Sequence, residues 1–193
     1  QRGPIEEALD REGIPYVISD QNREKFFKTK NVLAMVGYLR AIQAIRDSAS
    51  LGATPDLYGS LDLIINTPPR RGIGPVSQSI ILDGQPELGW DQLIKASVNK
   101  ILRPQVQEEI KNLLQLLINL ANKKEVVSPN DLMDHVLQDA GWYESLNDDL
   151  RGKENLRNIR ALQEKAKAFK NIPDFLHFIR KKTMNDWDGN GVT

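Results

Sequence analysis

The chain has 193 residues, of which 40% are hydrophobic and 27% charged, so it can form a hydrophobic core and is not a largely disordered protein. It contains no cysteine, which excludes disulfide bonds and thiolate metal sites, and no apolar run approaches the roughly 18 residues that a membrane-spanning helix needs. The 26 basic and 26 acidic residues give zero net charge, which argues against a uniformly basic nucleic-acid-binding surface.

The first thirty residues predict a short α/β piece. Glu6 and Glu7 follow Pro4 as acids in the first turn of a helix that ends at Gly13. Residues 16–18, Tyr-Val-Ile, are a short β-type run. One strand cannot form a sheet by itself, so this piece is interpreted as a stub. The chain starts with Gln rather than Met, which is expected for a cut or processed end.

From about Lys30 onward the hydrophobic residues recur at helical spacing. The clearest helix is predicted to begin near Pro104, and others begin after Ser128 and at Pro173. The predicted fold class is therefore mainly α: a compact multi-helix domain with a short N-terminal helix-strand stub from an α/β domain.

The segment from residue 66 to residue 74 reads Asn-Thr-Pro-Pro-Arg-Arg-Gly-Ile-Gly and lies between two apolar runs. Gly72 and Gly74 can adopt positive φ and allow close backbone approach, and Pro75 suits the first position of a helix. Together with Arg70 and Arg71, these features predict a phosphate clamp at a helix start. The alternative is an ordinary Gly- and Pro-containing connector between two helices.

Charge is segregated along the chain. Residues 125–149 contain seven acidic residues and no Lys or Arg, whereas residues 151–182 contain ten basic and three acidic residues. Arg157, Arg160 and Lys167 share one helical face. That face is interpreted as solvated, as a DNA track, or as a partner for the acidic segment.

Motifs for catalysis are absent from the sequence. There is no phosphate-loop motif, no His-Glu-x-x-His and no Gly-x-Ser-x-Gly. His135 and His177 stand singly within helical patterns and are interpreted as partly buried structural residues. No catalytic residue, cofactor site or metal site is predicted in this chain.

Several short motifs occur together and in order. They are Gly13-Ile14-Pro15-Tyr16, Val36-Gly37-Tyr38-Leu39-Arg40, Asn66-Thr67-Pro68-Pro69-Arg70, Gly72-Ile73-Gly74 and Glu154-Asn155-Leu156. With these motifs the chain resembles superfamily 1A DNA helicases of the UvrD/PcrA/Rep type over essentially its whole length.

In that family the second RecA-like motor domain, 2A, is interrupted by a helical insertion, 2B. The resemblance implies that residues 1–29 are a stub of 2A, residues 30–185 are 2B, and residues 186–193 lead back to 2A. It also implies rotation of 2B as a rigid body that modulates unwinding, with hinges near Lys28–Lys30 and Asp186–Gly191. The parent protein is then expected to be an ATP-dependent 3'-5' DNA helicase that uses ATP and Mg. This fragment alone, lacking the phosphate loop, is expected not to hydrolyse ATP.

By the same resemblance, the turn contacts the backbone of duplex DNA without reading its sequence. The residues expected to bind nucleic acid are Thr67, Pro68, Arg70, Arg71, Gly72, Ile73 and Gly74. The family usually has a single Arg before Gly-Ile-Gly, so the choice between Arg70 and Arg71 is left open. The family also often has an Arg where Gly3 stands, and either Arg2 takes its place or that residue is missing.

The expected partners are duplex DNA or a single/double-strand junction, together with the remaining motor domains, and no membrane. The expected location is the bacterial cytoplasm, in association with the nucleoid, or the nucleus in a eukaryote. The alternative function is a regulatory or protein-docking helical domain without significant DNA binding.

Overall fold

A computed structural model describes residues 26–57, 59–67, 70–85, 88–147 and 152–184 of the chain. In these ranges it contains nine α-helices and no strand. The helices are α1 (Lys30–Leu51), α2 (Leu61–Ile64), α3 (Pro75–Leu82), α4 (Trp90–Ser97), α5 (Pro104–Asn122), α6 (Pro129–Asp139), α7 (Trp142–Asn147), α8 (Gly152–Ala166) and α9 (Ile172–Met184). The mainly α prediction is confirmed, while the predicted strand at residues 16–18 lies outside the described residues.

Helix α1 is the centre of the domain. Helices α2, α5, α6, α8 and α9 all pack on it. Most residues between 31 and 42 are buried, whichever side of the helix they lie on. Met35, Tyr38 and Leu39 have no exposed surface. A helix that is apolar around its circumference belongs in a core, so the other helices form a shell around α1. Helix α1 ends at Leu51, and Gly52 caps it with a φ of 65°.

The sequence signals for helix starts agree with the structure. Helices α3, α5 and α6 each begin with the expected proline. At the start of α6, the Ser128 hydroxyl accepts a hydrogen bond from the backbone N–H of Asp131 at 3.3 Å. At the start of α9, the Asn171 side chain accepts one from the N–H of Asp174 at 2.9 Å.

Gly37 lets α2 lie directly against α1. A Cβ atom at this position would lie 2.9 Å from the Leu63 Cβ, 2.9 Å from the Ile64 Cγ2 and 3.1 Å from the Ser60 carbonyl oxygen. These distances are shorter than packed carbon atoms allow, so any side chain here would force α2 away. The chain continues from α2 into the turn before α3. The Gly37 contact therefore influences how far that turn lies from the core.

All five phenylalanines of the chain join in one series of ring contacts. The ring centroids of Phe27, before α1, and Phe178, in α9, are 6.3 Å apart. Phe178 lies 5.1 Å from Phe169, and Phe26 lies 5.1 Å from Phe27. Because Phe27 is only 5% exposed, the segment just before α1 is part of the core of the helical domain.

Candidate nucleic-acid interface

The candidate site is the turn between α2 and α3. Gly74 occupies the N-cap position of α3 and Pro75 its first helical position. The first hydrogen bond of the helix runs from the Gln78 N–H to the Gly74 carbonyl oxygen at 2.9 Å. The N–H groups of Val76 and Ser77 therefore point out of the helix end, and the first turn contains no acidic residue. This geometry favours an anion at the start of α3.

The two glycines of the turn differ in conformation. Gly72 has a φ of 66°, which side chains tolerate poorly, whereas Gly74 has a φ of −73° and a ψ of 175°. The positive φ anticipated at both glycines is thus found at Gly72, and it was wrong for Gly74. Among the described residues other than the chain neighbours of each glycine, no atom lies within 4 Å of a Cβ built on either glycine, so the space in front of both is open on this side of the described structure.

Arg71 is buried and binds the protein itself. Only 5% of its surface is exposed. Its Nη1 donates to the Ile64 carbonyl oxygen at 2.8 Å, and its Nη2 donates to the Tyr38 hydroxyl at 2.7 Å. Its backbone N–H donates to the Asn66 Oδ1 at 3.0 Å. The guanidinium supplies a hydrogen-bond donor to the last carbonyl group of α2, and it links the turn to α1.

Arg70 is the exposed arginine of the pair. It immediately precedes the buried Arg71 and lies four residues before the N-cap of α3. The structure therefore gives the two arginines different environments, and Arg70 is the one whose charge can reach a phosphate in solvent.

The remaining predicted residues shape the turn. The Thr67 hydroxyl donates to the Leu63 carbonyl oxygen, and Ile73 is fully buried. The Gln78 Nε2 donates to the Ile73 carbonyl oxygen at 3.1 Å. Pro68 lies outside the described residues. Thr67, Arg71 and Ile73 thus have their side chains engaged with the protein, which leaves Arg70 and the open glycine backbone facing outward.

Tyr38 is the residue of this site that sequence reasoning missed. It lies 33 residues before Arg71, and its ring meets that of Trp142 edge-on with centroids 6.2 Å apart. Burial raises the pKa of Tyr38, and Arg71 and Trp142 oppose the rise. The Tyr38 hydroxyl is therefore a neutral acceptor for the Arg71 guanidinium at physiological pH.

Comparison with known proteins assigns the chain to a family. The profile of the UvrD-like helicase C-terminal domain matches residues 1–186. The chain belongs to this family. It is 27% identical over 173 residues to the ATP-dependent DNA helicase PcrA of Staphylococcus aureus (strain NCTC 8325 / PS 47), covering 88% of this chain and 21% of that protein. It is 28% identical over 174 residues to the ATP-dependent DNA helicase PcrA of Staphylococcus epidermidis (strain ATCC 12228 / FDA PCI 1200), again over 88% and 21%. The chain spans about a fifth of the length of these curated relatives.

The second basic surface of this UvrD-like domain lies on α8. Arg157 and Arg160 are exposed, while Lys167 pairs with Glu164 at 2.5 Å. In the described residues this surface meets the acidic segment through an amide-to-carboxylate hydrogen bond from Gln163 to Asp134 rather than through an ion pair. The structure thus supports the solvated-face interpretation of Arg157 and Arg160.

Arg46, which the sequence counts among the basic residues, is used internally. Its guanidinium donates to the carbonyl oxygens of Leu120, Ala121, Lys123 and Val126 at 2.8 to 3.3 Å. These groups lie in the last turn of α5 and in the segment just after it, so Arg46 fastens the end of α5 to α1. Burial lowers the pKa of Arg46, and Glu125 opposes the fall.

The two histidines have different surroundings. The His135 Nδ1 lies 3.0 Å from the Lys123 Nζ, which also pairs with Asp139 at 2.8 Å. His177 is exposed, contrary to the partly buried position expected for it. Within the described residues there is no cluster of His, Cys, Asp and Glu that could hold a metal ion, and no helix is long and apolar enough to cross a membrane.

Proposed function

We propose that this chain is the accessory helical domain, of the 2B type, of an ATP-dependent DNA helicase, and that the turn from Thr67 to Gly74 binds the backbone of duplex DNA. The observation that carries the proposal is the exposed Arg70 beside the open helix start of α3 in a member of the UvrD-like family. ATP and Mg would be bound by the rest of the parent protein, which would act on DNA in the bacterial cytoplasm.

The chemistry of the turn suits a phosphate diester. The Val76 and Ser77 N–H groups and the positive end of the α3 dipole supply a partial positive charge, and Arg70 supplies a full one. All these donors bind phosphate oxygens, which are the same whatever the base sequence of the DNA. The proposed contact therefore contributes affinity and orientation on the duplex but no base specificity.

Rotation of the domain is the second part of the proposal. Helix α9 begins near the C-terminal half of α1, where Ile172 and Arg46 line one groove. Its Phe178 reaches Phe27, just before α1. The chain thus enters the helical domain beside the middle of α9, and two connections on the same pair of helices can serve as one hinge. A rotation about that hinge would move the Arg70 turn relative to the motor.

A protein-docking domain is the competing proposal. Its support is a group of exposed apolar side chains after and within α4: Ile94 is 46% exposed, Val98 69% and Ile101 77%. Exposed apolar groups of this kind occur at protein interfaces. The zero net charge of the chain also fits this alternative. The two proposals differ in whether Arg70 affects duplex affinity.

The test is a salt titration of duplex binding by the 193-residue chain and its Arg70→Ala variant. The measurement is fluorescence anisotropy of a labelled duplex with a single-stranded tail. Loss of one phosphate contact should flatten the log–log salt slope by about 0.9 and weaken all duplex sequences alike. The matched control removes two other exposed arginines, Arg157→Ala with Arg160→Ala, and should reduce affinity less than Arg70→Ala does.

Two results would reject the DNA-contact proposal. One is an Arg70→Ala variant that binds duplex with unchanged affinity and slope. The other is a wild-type chain without measurable duplex binding at about 20 mM salt, where phosphate contacts are strongest. Either result would favour the docking domain.

A further inference from the structure

We infer that Arg71 is a positioning residue, which acts through the Tyr38 hydroxyl and the Ile64 carbonyl group to hold the turn so that Arg70 can bind a phosphate. This inference rests on the proposed function, because Arg70 is the group being positioned. It assigns the second arginine of the motif a task separate from binding DNA.

The burial of Arg71 requires that its charge be compensated inside the protein. Because the whole residue is only 5% exposed, the guanidinium has lost most of its hydration and its donors need fixed acceptors. Two acceptors come from different helices, the Tyr38 hydroxyl on α1 and the Ile64 carbonyl group at the end of α2. The planar fork of an arginine can serve both at once, and a lysine cannot reproduce this geometry.

Contacts with the rest of the protein hold the turn on both sides of its exposed part. On one side, Arg71 holds its own backbone through Asn66 and its side chain through Tyr38. On the other side, Ile73 is fully buried, and its carbonyl oxygen accepts from Gln78 at 3.1 Å. Gly72 lies between them with positive φ and is exposed. If the Arg71 anchor is released, the backbone at Arg70 loses its nearest fixed point.

Tyr38→Phe is the variant that isolates this anchor. It removes the acceptor for the Arg71 Nη2 but keeps the ring that packs against Trp142. The matched control is Tyr143→Phe, which removes a hydroxyl from a tyrosine that is 44% exposed. Circular dichroism and the thermal midpoint establish that both variants are folded.

The first measurement needs no DNA. Trypsin cleaves after arginine, and cleavage at Arg70 and Arg71 requires local opening of the turn. Loss of a charge-assisted hydrogen bond should raise the rate of cleavage at these bonds about tenfold in folded Tyr38→Phe. The Tyr143→Phe control should be cleaved at the wild-type rate. An unchanged rate in Tyr38→Phe would refute the anchor.

The second measurement is a double-mutant cycle on duplex binding. Tyr38→Phe alone should weaken binding about tenfold and flatten the salt slope, by up to the contribution of one phosphate contact. A purely structural role would lower the thermal midpoint without changing the salt slope of the folded protein. Adding Tyr38→Phe to Arg70→Ala should cause little further loss, because the group being positioned is already gone.

The outcomes separate the two proposals. Additive losses in the cycle would show that Arg71 does not act through Arg70 and would overturn the positioning role, even if Arg70 binds DNA. A wild-type chain that does not bind duplex would refute the proposed function, and the positioning role with it. The trypsin result would still show whether Tyr38 and Arg71 hold the turn.

Discussion

At the scale of single residues, Gly72 and Gly74 impose different demands although they lie two positions apart. Gly72 has a φ of 66°, so Gly72→Ala should destabilise the protein by about 1–2 kcal/mol. Gly74 has an ordinary φ of −73° at an N-cap, where serine is also favoured. Gly74→Ser should therefore change the free energy of unfolding by only about a few tenths of a kcal/mol.

Urea unfolding followed by circular dichroism measures both glycine variants. The m-value should stay the same, which would show that the variants change stability rather than the surface exposed on unfolding. Equal urea midpoints for Gly72→Ala and the wild type would contradict the requirement for positive φ at Gly72.

The turn between α2 and α3 was predictable from the sequence, but the different burial of its two arginines was not. Glycines, prolines and arginines are local signals, and they marked the turn and the first residue of α3 correctly. Arg71 is buried because Tyr38, 33 residues earlier, brings it a hydroxyl group. A contact between residues so far apart in the sequence produces no periodic pattern, and the pattern of charges does not show which charged residues are buried.

At the scale of helices, the contact between α1 and α2 controls the turn. Gly37→Ala would place a Cβ 2.9 Å from the Leu63 Cβ and the Ile64 Cγ2, so α2 must move away from α1. Overpacking of this kind costs about 1–3 kcal/mol, against a gain of up to about 1 kcal/mol from better helix propensity. We expect a net loss of stability.

The displacement of α2 should also reach the turn, since the Ile64 carbonyl group is an acceptor for Arg71. Trypsin cleavage after Arg70 should therefore be faster in Gly37→Ala than in the wild type, at temperatures where both are folded. A variant as stable as the wild type, with the same cleavage rate, would show that α2 accommodates the methyl group without moving.

Sequence reasoning succeeded best where helices carry strong local signals. The prolines and the Ser128 cap placed the starts of α3, α5 and α6. It could not foresee that Arg46 fastens the end of α5, because four carbonyl groups that are 74 to 80 residues away in sequence supply the acceptors. The same limit explains why the count of 26 basic residues overstates the number of cations available to DNA.

At the scale of the whole molecule, the contacts of residues 26–29 bear on where the proposed hinge lies. The resemblance to the helicase family implied a hinge near Lys28–Lys30 and a domain boundary at residue 29. The Thr29 hydroxyl and its N–H both donate to the Phe26 carbonyl oxygen, at 2.9 and 3.2 Å, and Phe27 is buried against α9. We therefore propose that residues 26–29 move with the helical domain and are not themselves the hinge.

Two truncated chains test this boundary. A chain that begins at residue 25 keeps Phe26 and Phe27, and the helical domain should unfold within about 0.5 kcal/mol of its value in the full chain. A chain that begins at residue 30 loses both rings and should be less stable by about 3–5 kcal/mol, the usual cost of removing a buried phenylalanine. Phe27→Ala in the full chain is the matched control and should reproduce most of that loss. If the chain beginning at residue 30 is as stable as the one beginning at residue 25, the phenylalanine cluster does not hold the incoming segment, and the hinge returns to Lys28–Lys30.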